Sequence, residues 1–470
     1  MENTTAPREL HGIKLFGYSI GFFGVMLSNM LGGVFVLQFY AYTINLNSFW
    51  VSIAQFIQLF ISAFASIIFG VIIDNKRPIK IGKRRPFLLY GLPIWIISCI
   101  LIWYPPFFIG QTDKSNEFLL TLYLTTFLVL KAVSGTSMLV AHASMFPEQT
   151  QTLKNRSKVA TINSILIIVA SIVGLLMPLI VQSMVDNPLE VAWWQPSSAP
   201  ILTFIPLIGI AFAIAGAITV LITFFAIDES FHSDSRNKEF VKKSIKETFS
   251  HMQDPIKDKK YRKFMFTGFF NQFSGKIIGI AVFPFITYVL LFTDAQFFIY
   301  IIISITCKFG WFAVWKLIGS KFHNYVRIYS WTLIIAIIAS FLELLFLFQI
   351  PNFSVKVALF AVSYGTILGS MYVFNLFGPP ISAALVDEAA NNRGNPDRLQ
   401  VLAEISGSYS GALSFTTTIG AAFASIFVGV FLFGNNKTNP TILTICFATT
   451  GIFYLLALLS MRRIKLIKQE

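Results

Sequence analysis

The sequence predicts an all-α polytopic membrane protein, with twelve transmembrane helices arranged as two bundles of six. Three observations carry this prediction. Of 470 residues, 55% are hydrophobic and only 12% charged, with a mean hydropathy of +0.70, a balance foreign to soluble domains. Twelve apolar segments are long enough to cross a bilayer as helices. The 36 Lys and Arg residues gather on one side of the membrane that those segments define.

The segments fall at roughly 15–42, 48–73, 86–109, 117–146, 157–183 and 201–227. After a polar gap come 263–292, 295–317, 328–350, 354–386, 402–433 and 441–461. Counting each cation at a segment end with the loop it flanks, the N-terminus, the even-numbered connections and the C-terminal tail hold 30 of the cations. The odd-numbered connections hold only Lys114, Lys356 and Lys437, and the rest lie inside segments. A missed or invented helix would scramble that asymmetry, so both termini are expected in the cytoplasm. The organisation that follows is a first bundle over 1–227, a cytoplasmic linker over 228–262, and a second bundle with a basic tail over 263–470. Within the linker, Val241, Ile245, Phe249 and Met252 recur at helical spacing between lysines. Two readings stay open there, an amphipathic helix on the membrane surface and a plain linker.

Several function classes fall away. The net charge of +14 sits in membrane-flanking loops, so no nucleic-acid partner is expected. Cys99, Cys307 and Cys446 lie in apolar segments and form neither a disulfide framework nor a metal cluster. Residues 1–13 lack the apolar core of a signal peptide. No Gly-x-x-x-x-Gly-Lys-Ser/Thr stretch is present for nucleotide-driven transport. A membrane enzyme would need a nucleophile, a metal cluster or paired acids at membrane depth, and His142 has no Cys, Asp or Glu nearby in sequence. A receptor or scaffold is a remote reading for a chain with no sizeable soluble domain. No cofactor is expected, and the partners are the lipid bilayer and a small solute taken up by a monomer.

The stretch from Phe69 to Pro86 organises the rest. An apolar run ends in Gly70-x-x-x-Asp74, a loop with six cations follows, and Gly82-Lys83-Arg84-Arg85-Pro86-Phe87 opens the next run. Gly70 and Asp74 lie one turn apart on a helix face. The glycine permits close packing of another helix, and the carboxylate can cap a neighbouring helix N-terminus. Phe146-Pro-Glu148-Gln-Thr150 leading to Arg156, the glycine-rich Gly17–Gly24, the run Asp254–Phe264, and Asp387-Glu-Ala-Ala-Asn-Asn-Arg393 complete the set. Together these stretches resemble the major facilitator superfamily, and more narrowly its glycoside–pentoside–hexuronide symporter branch, with the melibiose permeases and plant sucrose transporters. The resemblance implies two pseudo-symmetric six-helix bundles, alternating access, and a latch from Asp74 to the start of helix 11. The loop Gly319–Arg327 is a degraded echo of 70–86 that lacks the acid.

Ionisable residues inside hydrocarbon are expensive and usually face a cavity or a partner. Here they are Lys131, Lys276, Lys308 and Glu343. The lysines sit near the midplane. A structural pair of one lysine with Glu343 is the alternative for any one of them, but three lysines and one carboxylate leave positive charge over. Asn29, Gln55, Asn271 and Gln272 add neutral polar groups, with Gly275 and Gly279 permitting local unwinding beside Lys276. Trp311 and Trp315, one turn apart after Lys308, are candidates to stack a substrate, whereas Trp103, Trp193 and Trp194 read as interfacial belt residues. Cation-coupled members of the branch place acids where this chain has Ser62 and Ser66 on helix 2 and near Leu139 on helix 4, and a Lys-Asp pair where it has Val25 and Met26. Familiar sodium coupling is therefore not expected, and Glu343 or a lysine becomes the candidate for proton coupling or exchange. The expected function is secondary transport of a sugar, glycoside, acidic sugar or organic anion, with a lipid or lysolipid as the alternative cargo. The lysines favour an anionic solute.

Overall fold

A computed structural model describes residues 9–150, 152–229, 253–322, 324–348, 350–392, 398–462 and 464. The helix anticipated around 241–252 and Arg393 lie outside them, as do the side chains of Asp74, Glu148 and Arg156. The described chain is helical, in the order α1 (Gly12–Thr43), α2 (Ser48–Asn75), α3 (Arg85–Leu101), α4 (Glu117–Gln149), α5 (Leu153–Ser183) and α6 (Ala199–Ala226). The second half holds α7 (Lys259–Val289), α8 (Phe297–Lys321), α9 (Tyr325–Leu347), α10 (Phe353–Asn391), α11 (Arg398–Phe431) and α12 (Pro440–Met461). Eleven of these are long and apolar enough to cross a membrane, and α3 is a shorter apolar helix beside them. The segment expected to reach residue 109 ends as a helix at Leu101. Pro105 and Pro106 cannot extend the ladder, and Tyr123 donates its hydroxyl to the carbonyls of Leu101 (2.9 Å) and Tyr104 (2.8 Å).

Local sequence sets many of the helix starts. Asn47, Thr152, Asp258, Asn324, Asn352 and Asn439 each accept from a backbone N–H of the first turn they precede, satisfying donors that the helix cannot use itself. Between helices, small residues let backbones meet. A Cβ on Gly24 of α1 would lie 2.3 Å from the Gly216 nitrogen of α6, and one on Gly420 of α11 would lie 2.5 Å from the Phe269 carbonyl oxygen of α7.

The internal two-fold relation, faint in the sequence, is plain in the backbone. α1 closes in a π-helical turn over Gln38–Thr43 and α7 in one over Phe285–Val289. Ile44 N donates to Phe39 O and Leu46 N to Tyr40 O; in the second half Leu290 N donates to Phe285 O and Phe292 N to Ile286 O. Asn45 and Leu291 take the same left-handed φ, +65° and +59°. Tyr42 and Tyr288 occupy equivalent places and stack on each other across the pseudo-two-fold, with centroids 5.5 Å apart.

The two ends of the molecule differ. We call the end that carries the chain termini the terminal end, and the opposite one the far end. Contacts between the halves start at the far end. Phe35 meets Phe283, the Ser48 hydroxyl donates to the Leu432 carbonyl, and Phe49 packs on Phe433. A Cβ on Gly429 would lie 2.4 Å from that of Ser52. Further along the α2–α11 seam, Phe56 meets Phe423 and Phe64 meets Phe415. The close packing expected at Gly70 is absent: a Cβ there would meet nothing within 4 Å.

Candidate functional site

Between the halves lies a cavity of about 320 Å³ whose walls come from α1, α2, α3, α4 and α7. Asn29 enters from α1, Gln55, Gln58 and Ser62 from α2, Trp95 from α3, Lys131 and Thr136 from α4, and Lys276 from α7. No carboxylate is among its described lining residues. Lys131 is 6% exposed. Its ammonium donates to the carbonyl of Ser28 at 2.9 Å, leaving two of its three donors for the cavity. The Ser28 hydroxyl meets the Cys99 thiol at 3.3 Å. Gly32 makes room for the lysine head, since a Cβ there would lie 3.2 Å from its nitrogen. Lys276 is half-buried and has no hydrogen-bond or ion-pair partner among the described residues. The Gln55 carbonyl oxygen is buried without a partner among them, and Ser62 Oγ bonds Thr136 Oγ1 at 3.0 Å. These groups can hold an anion from two sides and hydrogen-bond a polar body between them.

The other candidates read from the sequence lie elsewhere, for reasons of helix rotation. Ser66 turns back to the Ala63 carbonyl. Asn271 is 2% exposed inside the second half, its side-chain oxygen unpartnered among the described residues. Gln272 faces a separate cleft of about 660 Å³ together with Ser382, Asp387, Ser410, Ser414 and Thr417. Lys308 is half-buried on α8 and is not among the residues lining the cavity. Trp311 stacks on Trp315 (5.9 Å, 20°) and presses on Gly369 of α10, so that pair stabilises the second half from within. Glu343 is completely buried, and neither of its oxygens has a hydrogen-bond partner among the described residues. The Ser363 hydroxyl beside it donates instead to Leu359 O. The alternative pairing of Glu343 with a midplane lysine is not formed among the described residues. Gly275 and Gly279 lie in unbroken helix; the irregular turn of α7 comes later, at Phe285–Val289.

The basic loop is held by a carboxylate outside the motif. Glu229, just past α6 and 2% exposed, accepts from the backbone of Arg84 (2.9 Å) and Arg85 (3.1 Å). It thereby caps α3, where the dipole favours an anion. Gly82 at φ +115° makes the fit possible, because a Cβ there would fall 2.1 Å from the Glu229 carboxylate. The side chain of Arg84 donates to the Ser144 carbonyl, the Arg85 guanidinium lies 4.3 Å from the Phe224 ring centre, and Lys76 lies over Phe87 and Tyr90. Lys83 also has an interacting neighbour. In the second half, Asp258 caps α7, and Lys260 pairs with Glu388 of α10. The sequence signal for Glu229 is the acidic pair Asp228-Glu229, placed just where α6 ends. Trp103 is buried against Gly209, and Trp193 donates to the carbonyls of Thr43 and Ile109. Both act as posts between helices and loops rather than as belt residues. His142 stacks on Tyr18 at 4.2 Å and donates to the Tyr18 carbonyl (3.0 Å), while Tyr18 OH donates to the His142 carbonyl (2.9 Å). This reciprocal pair locks α1 to α4.

Comparison with known proteins places this architecture. The family model described as MFS/sugar transport protein matches residues 17–468. A curated relative from Salmonella typhimurium that carries the name of a sulfoquinovose importer is 31% identical over 83 residues, 17% of this chain and 18% of the relative. The solved nucleoside transporter NupG superposes with a TM-score of 0.62 at 13% identity, over 97% of this chain and 100% of that one. A bacterial homologue of the human lysosomal transporter Spinster, in an inward-facing and unoccupied conformation, gives 0.63 at 14% identity over 96% of each chain. The xylose transporter XylE of E. coli gives 0.58 at 11% identity, over 96% of this chain and 97% of that one. The chain is an integral membrane transporter rather than an enzyme, and it belongs to the MFS/sugar transport family of the major facilitator superfamily.

Proposed function

We propose that this transporter carries a small anionic, hydroxyl-bearing solute, an acidic sugar or a comparable organic anion, by alternating access through the cavity between its halves. One observation carries the reading: Lys131 of the first half and Lys276 of the second face the same cavity, and no carboxylate is among its described lining residues. Two ammonium groups at this depth need an anion or other acceptors, and an anion bridging them would engage both halves at once. Asn29, Gln55, Gln58 and Thr136 offer hydrogen bonds to hydroxyls. These polar groups converge on a wall otherwise made of residues such as Val25, Leu59, Trp95 and Leu128, a mixture that suits a sugar ring with its hydroxyls and apolar faces. The Salmonella relative's name agrees, since sulfoquinovose is a sugar bearing a sulfonate. The 30-to-3 division of loop cations supports a cytoplasmic terminal end. Sodium coupling has no support, because Ser62 bonds Thr136 where the branch would place an acid. Coupling to a proton or exchange against a second solute remains, with the buried Glu343 as the carboxyl available to it.

Proteoliposome uptake tests the reading. A hexuronate should enter at least roughly tenfold faster than the matching neutral hexose, and Lys131→Gln or Lys276→Gln should each remove most of that preference, as loss of a hydrogen bond to a charged group does. Equal uptake of both solutes, unaffected by either substitution, would make the lysines structural.

A further inference from the structure

The end of α1 is a hub. A helix leaves its last carbonyls without partners, and here three loops supply them. Trp193 N from the α5–α6 loop donates to Thr43 O (2.8 Å), and Ile109 N from the α3–α4 loop donates to Ile44 O (3.1 Å). Lys114 Nζ reaches Asn45 O at 3.3 Å. These donors all belong to the first half. Ala41 O, in contrast, accepts from Lys437 Nζ, in the turn Gly434–Thr438 between α11 and α12 of the second half. The contact is reciprocal: Tyr42 OH donates to Lys437 O at 2.5 Å. The lysine nitrogen also lies 5.5 Å from the Tyr42 ring centre, within cation–π range, and that ring's other neighbour is Tyr288.

We propose that Lys437 is the gate residue of the far end, tying the second half to the end of α1 so that the far end opens only when this lysine is withdrawn. The inference does not depend on the solute, because it concerns the seam between the halves. It has a consequence for pH. Burial, with the charge of Lys114 added, holds Lys437 down to about 8, against the opposite pull of Glu117; Lys114 and Glu117 are themselves paired at 3.7 Å. The other titratable groups at the contact are Tyr42 and Tyr288. In an open far end the lysine returns to water and to the ordinary lysine range near 10.4. The closed state therefore binds fewer protons than the open one between those values. Raising the pH through about 8 favours closure, with the neutral amine still donating to Ala41 O.

The test uses spin labels at Glu190→Cys and Ala295→Cys, both exposed at the far end, in a Cys307→Ala background in lipid nanodiscs. Distance distributions are recorded from pH 7 to 9.5. The wild type should show a short-distance population that grows as the pH rises through about 8. Lys437→Met should lower the closed-to-open ratio at pH 9 by roughly fivefold, as loss of one partly buried hydrogen bond does, and abolish the pH response. Lys437→Arg should also flatten it, because arginine keeps its charge. Tyr42→Phe, a variant that keeps the ring, should lower the ratio while leaving the pH response. Distributions in Lys437→Met and Tyr42→Phe that match the wild type at every pH would overturn the proposal.

Discussion

In the first half, polar groups at mid-depth face the space between the halves: Asn29, Gln55, Ser62 and Lys131 all line the cavity. In the second half Gln272 faces a cleft of its own, and other polar groups turn into the packed helices. The side-chain oxygens of Asn271 and Glu343 are buried without partners among the described residues, as are the hydroxyls of Tyr329 and Tyr454, and Trp311 and Trp315 stack on each other. Lys276 is the one described residue of the second half on the cavity wall. On the proposed reading the first half supplies most of the recognition, and the second contributes the single charge of Lys276. One helical plan, repeated twice along the chain, has been given two tasks.

That contrast can be broken at the helix crossings. Gly24→Ala would force α1 from α6 where backbone meets backbone, at a cost of about 3 kcal/mol or more, read as a lower unfolding temperature in detergent. Gly279→Ala on α7, where a Cβ meets nothing within 4 Å, should be silent or slightly stabilising, since it only removes glycine's helix penalty. Equal effects would mean that the α1–α6 contact does not organise the first half. A smaller effect is expected at the terminal end. Glu229→Ala removes the α3 cap and should cost about 1–2 kcal/mol. Protease should then cut the 76–85 loop faster, whereas Glu229→Gln should retain part of the protection. Unchanged cleavage in Glu229→Ala would show that the loop holds its shape without the carboxylate.

The fold was legible because its signals are long-range sums: apolar length fixes the helices, and the sorting of cations fixes their alternation. The site was legible only in part. Depth along a helix can be counted from the sequence, so Lys131, Lys276 and Lys308 all register as midplane residues. Which way each one faces depends on helix rotation, and rotation is set by packing. Trp311 against Gly369 fixes α8, and Lys308 goes with it, away from the cavity. Trp95 gives no signal because an aromatic in an apolar run carries no periodic signature of a cavity wall. The Lys437 contact is invisible in sequence for another reason: its partners, Ala41 and Tyr42, lie almost four hundred residues earlier. Gly82 stands out as part of the loop motif, but the carboxylate it accommodates is Glu229, 147 positions on.

On the proposed reading, one lysine from each half holds the same anionic group. A double-mutant cycle on solute binding measures this, with wild type, Lys131→Gln, Lys276→Gln and the double variant titrated with a hexuronate and with the neutral hexose, following the fluorescence of the cavity-lining Trp95. For the hexuronate, the double variant should depart from the sum of the single variants by about 1 kcal/mol or more, as groups sharing one partner do. For the hexose, all four proteins should bind within roughly threefold of one another, the spread left by substitutions that remove no shared contact. Additive losses for the hexuronate, or the same losses for both solutes, would contradict a shared anion site.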